Sequence, residues 1–149
     1  MMNPRTFIQS SYDQNDNYAK TKIIPFLENR GHQVVCDEET YKHDLITIKD
    51  GKEYYFEFEV KRNYPFTSVQ DYKFPTVSFT GRKQRLHNIE PFFYMILCFE
   101  TNTIVFCHSS EIYKDNNIVV LNLKERDRKG GIDTFYRVDK YKCTFVNLD

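Results

Sequence analysis

The sequence has no tryptophan, no net charge, no CxxC pair and no long apolar run. Each absence removes a class of protein. Lysine plus arginine and aspartate plus glutamate both number 21, so the chain as a whole does not attract a polyanion. Any nucleic-acid contact must come from a local patch. The cysteines (Cys36, Cys98, Cys107, Cys143) are scattered and share no zinc spacing with His32, His43, His87 and His108. Cys98 and Cys107 fall inside apolar stretches, where a thiol behaves as a small buried hydrophobe. All four are expected to be reduced, in a cytoplasmic setting. No apolar run approaches a membrane span, and the opening MMNPRTFIQS lacks a signal-peptide core. The expectation is a soluble intracellular protein with no membrane partner. Without repeats, linkers or low-complexity tracts, 149 residues suit a single domain, 1–149, with a core of its own.

What is present reads as α then mostly β. After a polar lead, SSYDQNDN, the apolar residues Tyr18, Ile23, Ile24, Phe26 and Leu27 predict a helix that Gly31 stops. Pro25 marks a kink or a later helix start. HQVVCDE and DLITI are short β-rich runs, and Asp50-Gly51 is a strong hairpin signal returning the chain into YYFEFEVKR. FPTVSF suggests another strand, and TGRKQRLHNI a helix capped by Thr80. FFYMILCFE has the continuous apolar character of a strand in the sheet centre. TNT turns it into IVFCH; the tail adds NIVVLNL, a charged loop KERDRKGG, and DTFYRVDKYKCTFVNL. The fold class is α/β, a mixed central sheet flanked by helices.

The strand YYFEFEVKR carries the strongest functional signal. Side chains alternate along a strand, so Phe56, Phe58 and Val60 form one face and Glu57, Glu59 and Lys61 the other. An isolated ExExK is more often a solvated edge than a site. A tight turn at Asp50-Gly51 pairs Lys49 with Lys52, which sets Asp44 opposite Glu57 with Glu59 one diagonal step further. Three carboxylates and an ammonium then gather on one face, at the end of the hairpin away from the turn. A solvent face has no reason to align a third acid against two others. Such a cluster suits a hard divalent cation such as Mg²⁺, which takes one or two carboxylates and completes its shell with water and phosphate oxygens.

These residues resemble the D…ExK signature of the PD-(D/E)XK nuclease superfamily, the restriction-endonuclease-like fold. The order helix, three strands, helix, strand is similar to that family's common core. FEFEVKRNYPF…YKFPTVSFTGRKQRL further resembles a subgroup seen in phage and large DNA viruses, with Thr76-Val77, Arg82-Lys83 and Phe92-Phe93-Tyr94 at matching places; the likeness spans roughly residues 16–110. The resemblance implies a Mg²⁺-dependent DNA endonuclease, with Mn²⁺ able to substitute. It implies metal binding by Asp44, Glu59 and the Val60 carbonyl, with Lys61 as catalytic lysine. Glu57 is then either a second ligand or an alternative to Glu59. His43 stands where many members have proline, and Lys20 where many have a helix glutamate, with Asp16 and Glu28 the nearest acids.

Several other features bear on partners. GRKQRLH is the densest basic stretch, and Arg82, Lys83 and Arg85, with Arg62 after the motif, are expected to contact DNA phosphates. Taken alone the stretch equally fits a solvated helix face. His43 lies beside Asp44, but strand alternation points it to the other face. Tyr12, Tyr18, Tyr41, Tyr64 and Tyr72 offer flat rings for base stacking, although packing is the commoner use of such residues. Two rival readings remain. One is the same fold with an inactive site, acting as a nucleic-acid or protein binding module. The other is an acidic cluster that binds a basic partner. The DNA structure acted on, and action alone or as a homodimer, stay open.

Overall fold

In the computed structural model, which describes residues 4–36, 43–122 and 132–149, a long helix α1 (Pro4–Asn29) opens the chain. It includes the polar lead that the sequence sets outside the helix. Helix propensity is a small bias per residue, and no Gly or Pro interrupts 5–24, so Ser, Asp and Asn do not exclude this segment. Pro25 lies within the helix, neither starting nor ending it. Gly31, at φ +92°, closes it as expected: the Gly31 N–H donates to Glu28 O and the His32 N–H to Leu27 O, both at 3.0 Å.

The strand β1 (Gln33–Cys36) pairs antiparallel with β2 (Leu45–Lys49), and β2 with β3 (Lys52–Lys61). Asp50 and Gly51, both at positive φ (52° and 76°), make the two-residue turn whose twist matches the flanking strands. The register follows from it: Lys49 faces Lys52 and Leu45 faces Phe56. Strand β5 (Phe93–Cys98) runs parallel to β3, which requires a crossover. That crossover holds β4 (Thr76–Thr80), a 3₁₀ turn (Gly81–Lys83) and α2 (Gln84–Ile89). β6 (Thr103–His108) and β9 (Thr144–Asn147) complete a six-stranded mixed sheet in the order β1-β2-β3-β5-β6-β9. The chain is thus α/β, with β5 inside the sheet as its apolar run predicts.

A second sheet was not foreseen. β4 leaves the main sheet and joins β8 (Ile132–Asp139) and β7 (Ile118–Asn122) in the antiparallel order β4-β8-β7. The main sheet is consequently covered on both faces. On one, Phe56, Phe58, Leu45, Met95, Leu97 and Ile104 pack against Ala19, Ile23 and Leu27 of α1. On the other, Tyr94, Ile96, Cys98 and Val105 pack against Val77 and Phe79 of β4 and Tyr136 and Val138 of β8. Glu57 and Glu59 sit beside Tyr94 and Ile96 in the β3–β5 ladder, so the acidic face looks toward the smaller sheet. Among the described residues no disulfide joins the cysteines, and no helix is long and apolar enough to cross a membrane.

The smaller sheet is tight where β4 gives way to the 3₁₀ turn beside β8. A Cβ on Gly81 would lie 2.7 Å from the Thr134 carbonyl oxygen of β8. That obstacle is backbone, which cannot swing aside as a side-chain tip does. Gly81→Ala is expected to lower stability by about 1–3 kcal/mol, the usual cost of overpacking. It should appear as a lower urea midpoint at unchanged slope. An unchanged midpoint would show that the junction yields freely.

Candidate functional site

The site begins where β2 ends. β2 starts at Leu45, so His43 and Asp44 lie just upstream, outside regular pairing, while β3 runs on to Lys61. The Asp44 carboxylate substitutes for the missing ladder: its Oδ2 accepts the Phe58 N–H at 2.9 Å. In return, the Asp44 N–H donates to Glu57 Oε2 at 2.9 Å. These two bonds clamp Asp44 and Glu57 together at the end of the hairpin, as the register from the turn requires.

Lys83 completes the arrangement. Thr80 Oγ1 accepts the Arg82 N–H, which starts the 3₁₀ turn and carries Lys83 inward at its end. The Lys83 ammonium lies 3.2 Å from Glu57 Oε1, 3.3 Å from the Phe58 carbonyl oxygen and 3.8 Å from Asp44 Oδ2. Three protein oxygens therefore surround one cation, which also sits 5.1 Å from the centroid of the Tyr94 ring. The sequence places Lys83 with the phosphate-contacting residues; it turns into the acidic pair instead.

Glu57 is the buried partner, its side chain only 6% exposed. Burial is the largest influence on its carboxyl and pushes it up. His43, the Lys83 charge and the Asp44 N–H together outweigh burial and hold it below the usual carboxylate range. His43 is itself buried between the rings of Tyr55 and Phe92, its Nδ1 3.3 Å from Glu57 Oε2. A carboxylate only accepts, so the His43 proton in this contact is on Nδ1; Nε2 is buried with no hydrogen-bond partner among the described residues. The expectation from alternation, with His43 on the far face, fails because residue 43 is not in the strand.

The remaining predicted residues are less concentrated. Glu59 Oε2 accepts a 3.0 Å hydrogen bond from the Tyr94 hydroxyl, and burial, with the Glu59 charge, holds that phenol well above its ordinary value. Among the described residues, no three His, Cys, Asp or Glu side chains gather closely enough to hold a metal. What converges is two carboxylates and a carbonyl. The Val60 side chain packs on the α1 side of the sheet. Lys61, Arg62, Arg82 and Arg85 are exposed. The Arg62 guanidinium lies 3.8 Å from the Phe99 ring centroid and donates to Asn15. The KERDRKGG loop and Tyr41 lie outside the described residues, as do the side chains of Tyr12 and Asp16.

No family model, curated protein or solved structure matches this chain. The chemistry must be read from the geometry. Two carboxylates and a carbonyl aimed at one point can hold a cation and leave most of its shell open to other oxygens. Sequence reasoning missed three parts of this: the Phe58 carbonyl, the inward turn of Lys83, and His43. The signal for the first was the register itself, which sets Glu57 opposite Asp44 and so favours the triplet Glu57-Phe58-Glu59 over Glu59-Val60-Lys61.

The Glu57 shift has a consequence for stability. A carboxyl whose folded value lies below its unfolded one, about 4.3, stabilises the fold above that unfolded value. The contribution is lost as pH falls through the depressed folded value. Urea midpoints measured from about pH 6 down to about pH 3 should therefore fall more steeply for the wild type than for Glu57→Gln. Parallel curves would show that Glu57 is not held ionised.

Proposed function

We propose that this chain is a divalent-cation-dependent phosphodiesterase acting on DNA, with a restriction-endonuclease-like fold of the PD-(D/E)XK superfamily. The observation that carries the reading is the convergence of Asp44 Oδ2, Glu57 Oε1 and the Phe58 carbonyl on a single cation. The element order supports it. A helix, three antiparallel strands, a crossover with a helix, and a strand parallel to the third resemble that superfamily's core, with β4 interposed.

The donor set fits Mg²⁺ or Mn²⁺. All three donors are hard oxygens, two of them charged, and their number leaves positions for water and a phosphate oxygen. We assign the ligands as Asp44, Glu57 and the Phe58 carbonyl, with Glu59 beside them on the same face. The resemblance alone would choose Glu59 and the Val60 carbonyl. What the ion supplies when bound is acidification of a water and neutralisation of charge on the phosphate. The chain's own residues do the rest. His43 and the Asp44 N–H hold the Glu57 carboxylate in place and ionised. Lys83 balances the two carboxylates when no metal is present. Lys61, on the same face at the open end of β3, stabilises charge building on the phosphate as water attacks in line. Arg82, Arg85 and Arg62, all exposed, bind flanking phosphates.

One observation favours a second reading. With Lys83 between them, Asp44 and Glu57 are already charge-compensated, as they would be in an inactive binding module. Calorimetry separates the two. Under the phosphodiesterase reading Lys83 competes with the metal, so Lys83→Met should raise Mg²⁺ and Mn²⁺ affinity by about tenfold or more. The same variant should lose about 3 kcal/mol of stability without metal, since it strands a buried charge, and regain most of it with Mn²⁺. A destabilised Lys83→Met that no divalent ion rescues would make Lys83 purely structural and favour the inactive module.

Activity gives an independent check. Asp44→Ala and Glu57→Ala should lose metal binding and DNA cleavage together. Lys61→Ala should keep its metal while single-turnover cleavage falls on the order of a hundredfold, the usual cost of removing one preorganised charge. Wild type and Lys61→Ala equally inactive on every DNA structure tested would remove the enzyme reading.

A further inference from the structure

The acidic face ends at Lys61, and the chain does not turn straight back from there. Residues 62–75 form a loop tied down at several points. The Asn63 N–H donates to Glu100 Oε1 (2.7 Å), Thr101 Oγ1 to the Phe66 carbonyl (2.6 Å), and Lys140 Nζ to the Tyr72 carbonyl (2.8 Å). The Asp71 carboxylate accepts the Thr67 and Ser68 N–H groups and closes a turn within the loop. Phe66 is buried in the core between the two sheets, and Tyr72 packs against it.

This well-held loop nevertheless keeps two rings in solvent. Tyr64 is 58% exposed and Phe74 43%, edge to face with centroids 5.8 Å apart. With Asn63, Pro65 and Lys73 they border a shallow cleft of about 80 Å³ that reaches inward to Phe66 and Tyr72. The Lys73 ammonium lies 4.6 Å from the Tyr64 centroid and 5.3 Å from that of Phe74. The core gains little from rings exposed to this extent, so fixing them outward points to a partner with flat apolar faces. The surrounding charge says more. Lys61, Arg62 and Lys73 are exposed cations in or beside this stretch and outnumber its neighbouring carboxylates, Asp71 and Glu100, whose oxygens accept the bonds that close the loop. Aromatic faces beside a row of cations match a nucleic-acid strand whose bases are accessible. A paired duplex hides those faces in its own stack.

We propose that the Tyr64–Phe74 cleft binds an unpaired nucleobase of the DNA strand held at Asp44 and Glu57, where that strand passes beyond Lys61 at the far end of β3. The substrate is then a single-stranded or branched DNA end, not a fully paired duplex. This rests on the phosphodiesterase reading above, and its test avoids cleavage. Binding of a fluorescently labelled single strand and of its blunt duplex is followed by anisotropy in EDTA. The single strand should bind more tightly than the duplex. Tyr64→Ala and Phe74→Ala should each weaken single-strand binding by about 5- to 100-fold, the range for losing one base stack. Duplex binding should stay as in wild type, and Tyr64→Phe should retain the wild-type affinity. Lys73→Gln should reduce the salt slope of single-strand binding by about one contact. A 5-iodouracil strand should photocrosslink to Tyr64 or Phe74. Both rings are exposed, so the alanine variants should melt as the wild type does.

Absence of single-strand binding, equal losses on duplex and single strand, or crosslinks elsewhere on the chain would overturn the proposal. The two readings fail separately. A wild type that binds and crosslinks at the cleft but cleaves nothing in Mg²⁺ or Mn²⁺ keeps the cleft and removes the phosphodiesterase. A wild type that cleaves in Mg²⁺ while both alanine variants bind the single strand normally keeps the phosphodiesterase and removes the cleft.

Discussion

A carboxylate buried between two sheets must be compensated or neutralised, and most of this fold is arranged around that one requirement at Glu57. Three groups meet it: the Lys83 ammonium, the His43 ring and the Asp44 N–H. They arrive on two separate parts of the backbone. Asp44 and His43 precede β2, and their position depends on the turn at Asp50-Gly51 that sets the hairpin register. Lys83 ends a 3₁₀ turn that follows β4, and β4 is held in place by its pairing with β8. The smaller sheet thus does more than cover the core. It fixes the element that delivers the counter-charge.

The legible parts of this structure are those governed by neighbouring residues. The Asp50-Gly51 turn, the Gly31 helix stop and the apolar run of β5 all follow from local backbone chemistry and occur where the sequence places them, whereas Thr80 caps the 3₁₀ turn and not α2, which begins at Gln84 without a side-chain cap. The hairpin register follows from the first of these, and with it the approach of Asp44 to Glu57. The illegible parts depend on distant partners or weak local bias. β4 looks like any strand, and nothing within Thr76–Thr80 says that it pairs with β8 instead of joining the main sheet. The polar lead into α1 carries no feature strong enough to exclude or demand a helix. Alternation misplaces His43 because it assumes a strand where the chain has not yet entered one. Lys83 reads as one more basic residue in GRKQRLH until the 3₁₀ turn after β4 carries it inward onto Asp44 and Glu57.

The same arrangement gives the site its chemical character. An ammonium held by two carboxylates and a carbonyl is a cation site in which the resident cation belongs to the protein. Under the proposed function, divalent-ion binding there would be an exchange: the ion would gain the three oxygens, and Lys83 freedom to reach solvent or a phosphate. Such an exchange would keep Glu57 compensated in the metal-free protein and would link metal loading to movement of a basic residue at the edge of the site. The loop from Arg62 to Pro75 lies beyond the far end of the same strand, so a strand of DNA entering past Lys61 would meet the rings of Tyr64 and Phe74 next.

Under the proposed function, Asp44, Glu57 and the Phe58 carbonyl would form a metal site that Lys83 fills when no metal is present. Crystals of the wild-type protein soaked in Mn²⁺ test it most directly through the anomalous signal. The account predicts one Mn²⁺ within about 2.0–2.3 Å of Asp44 Oδ2, Glu57 Oε1 and the Phe58 carbonyl oxygen, with Lys83 swung away from both carboxylates. Lys83 still seated between Asp44 and Glu57, with no anomalous peak at that position, would contradict it.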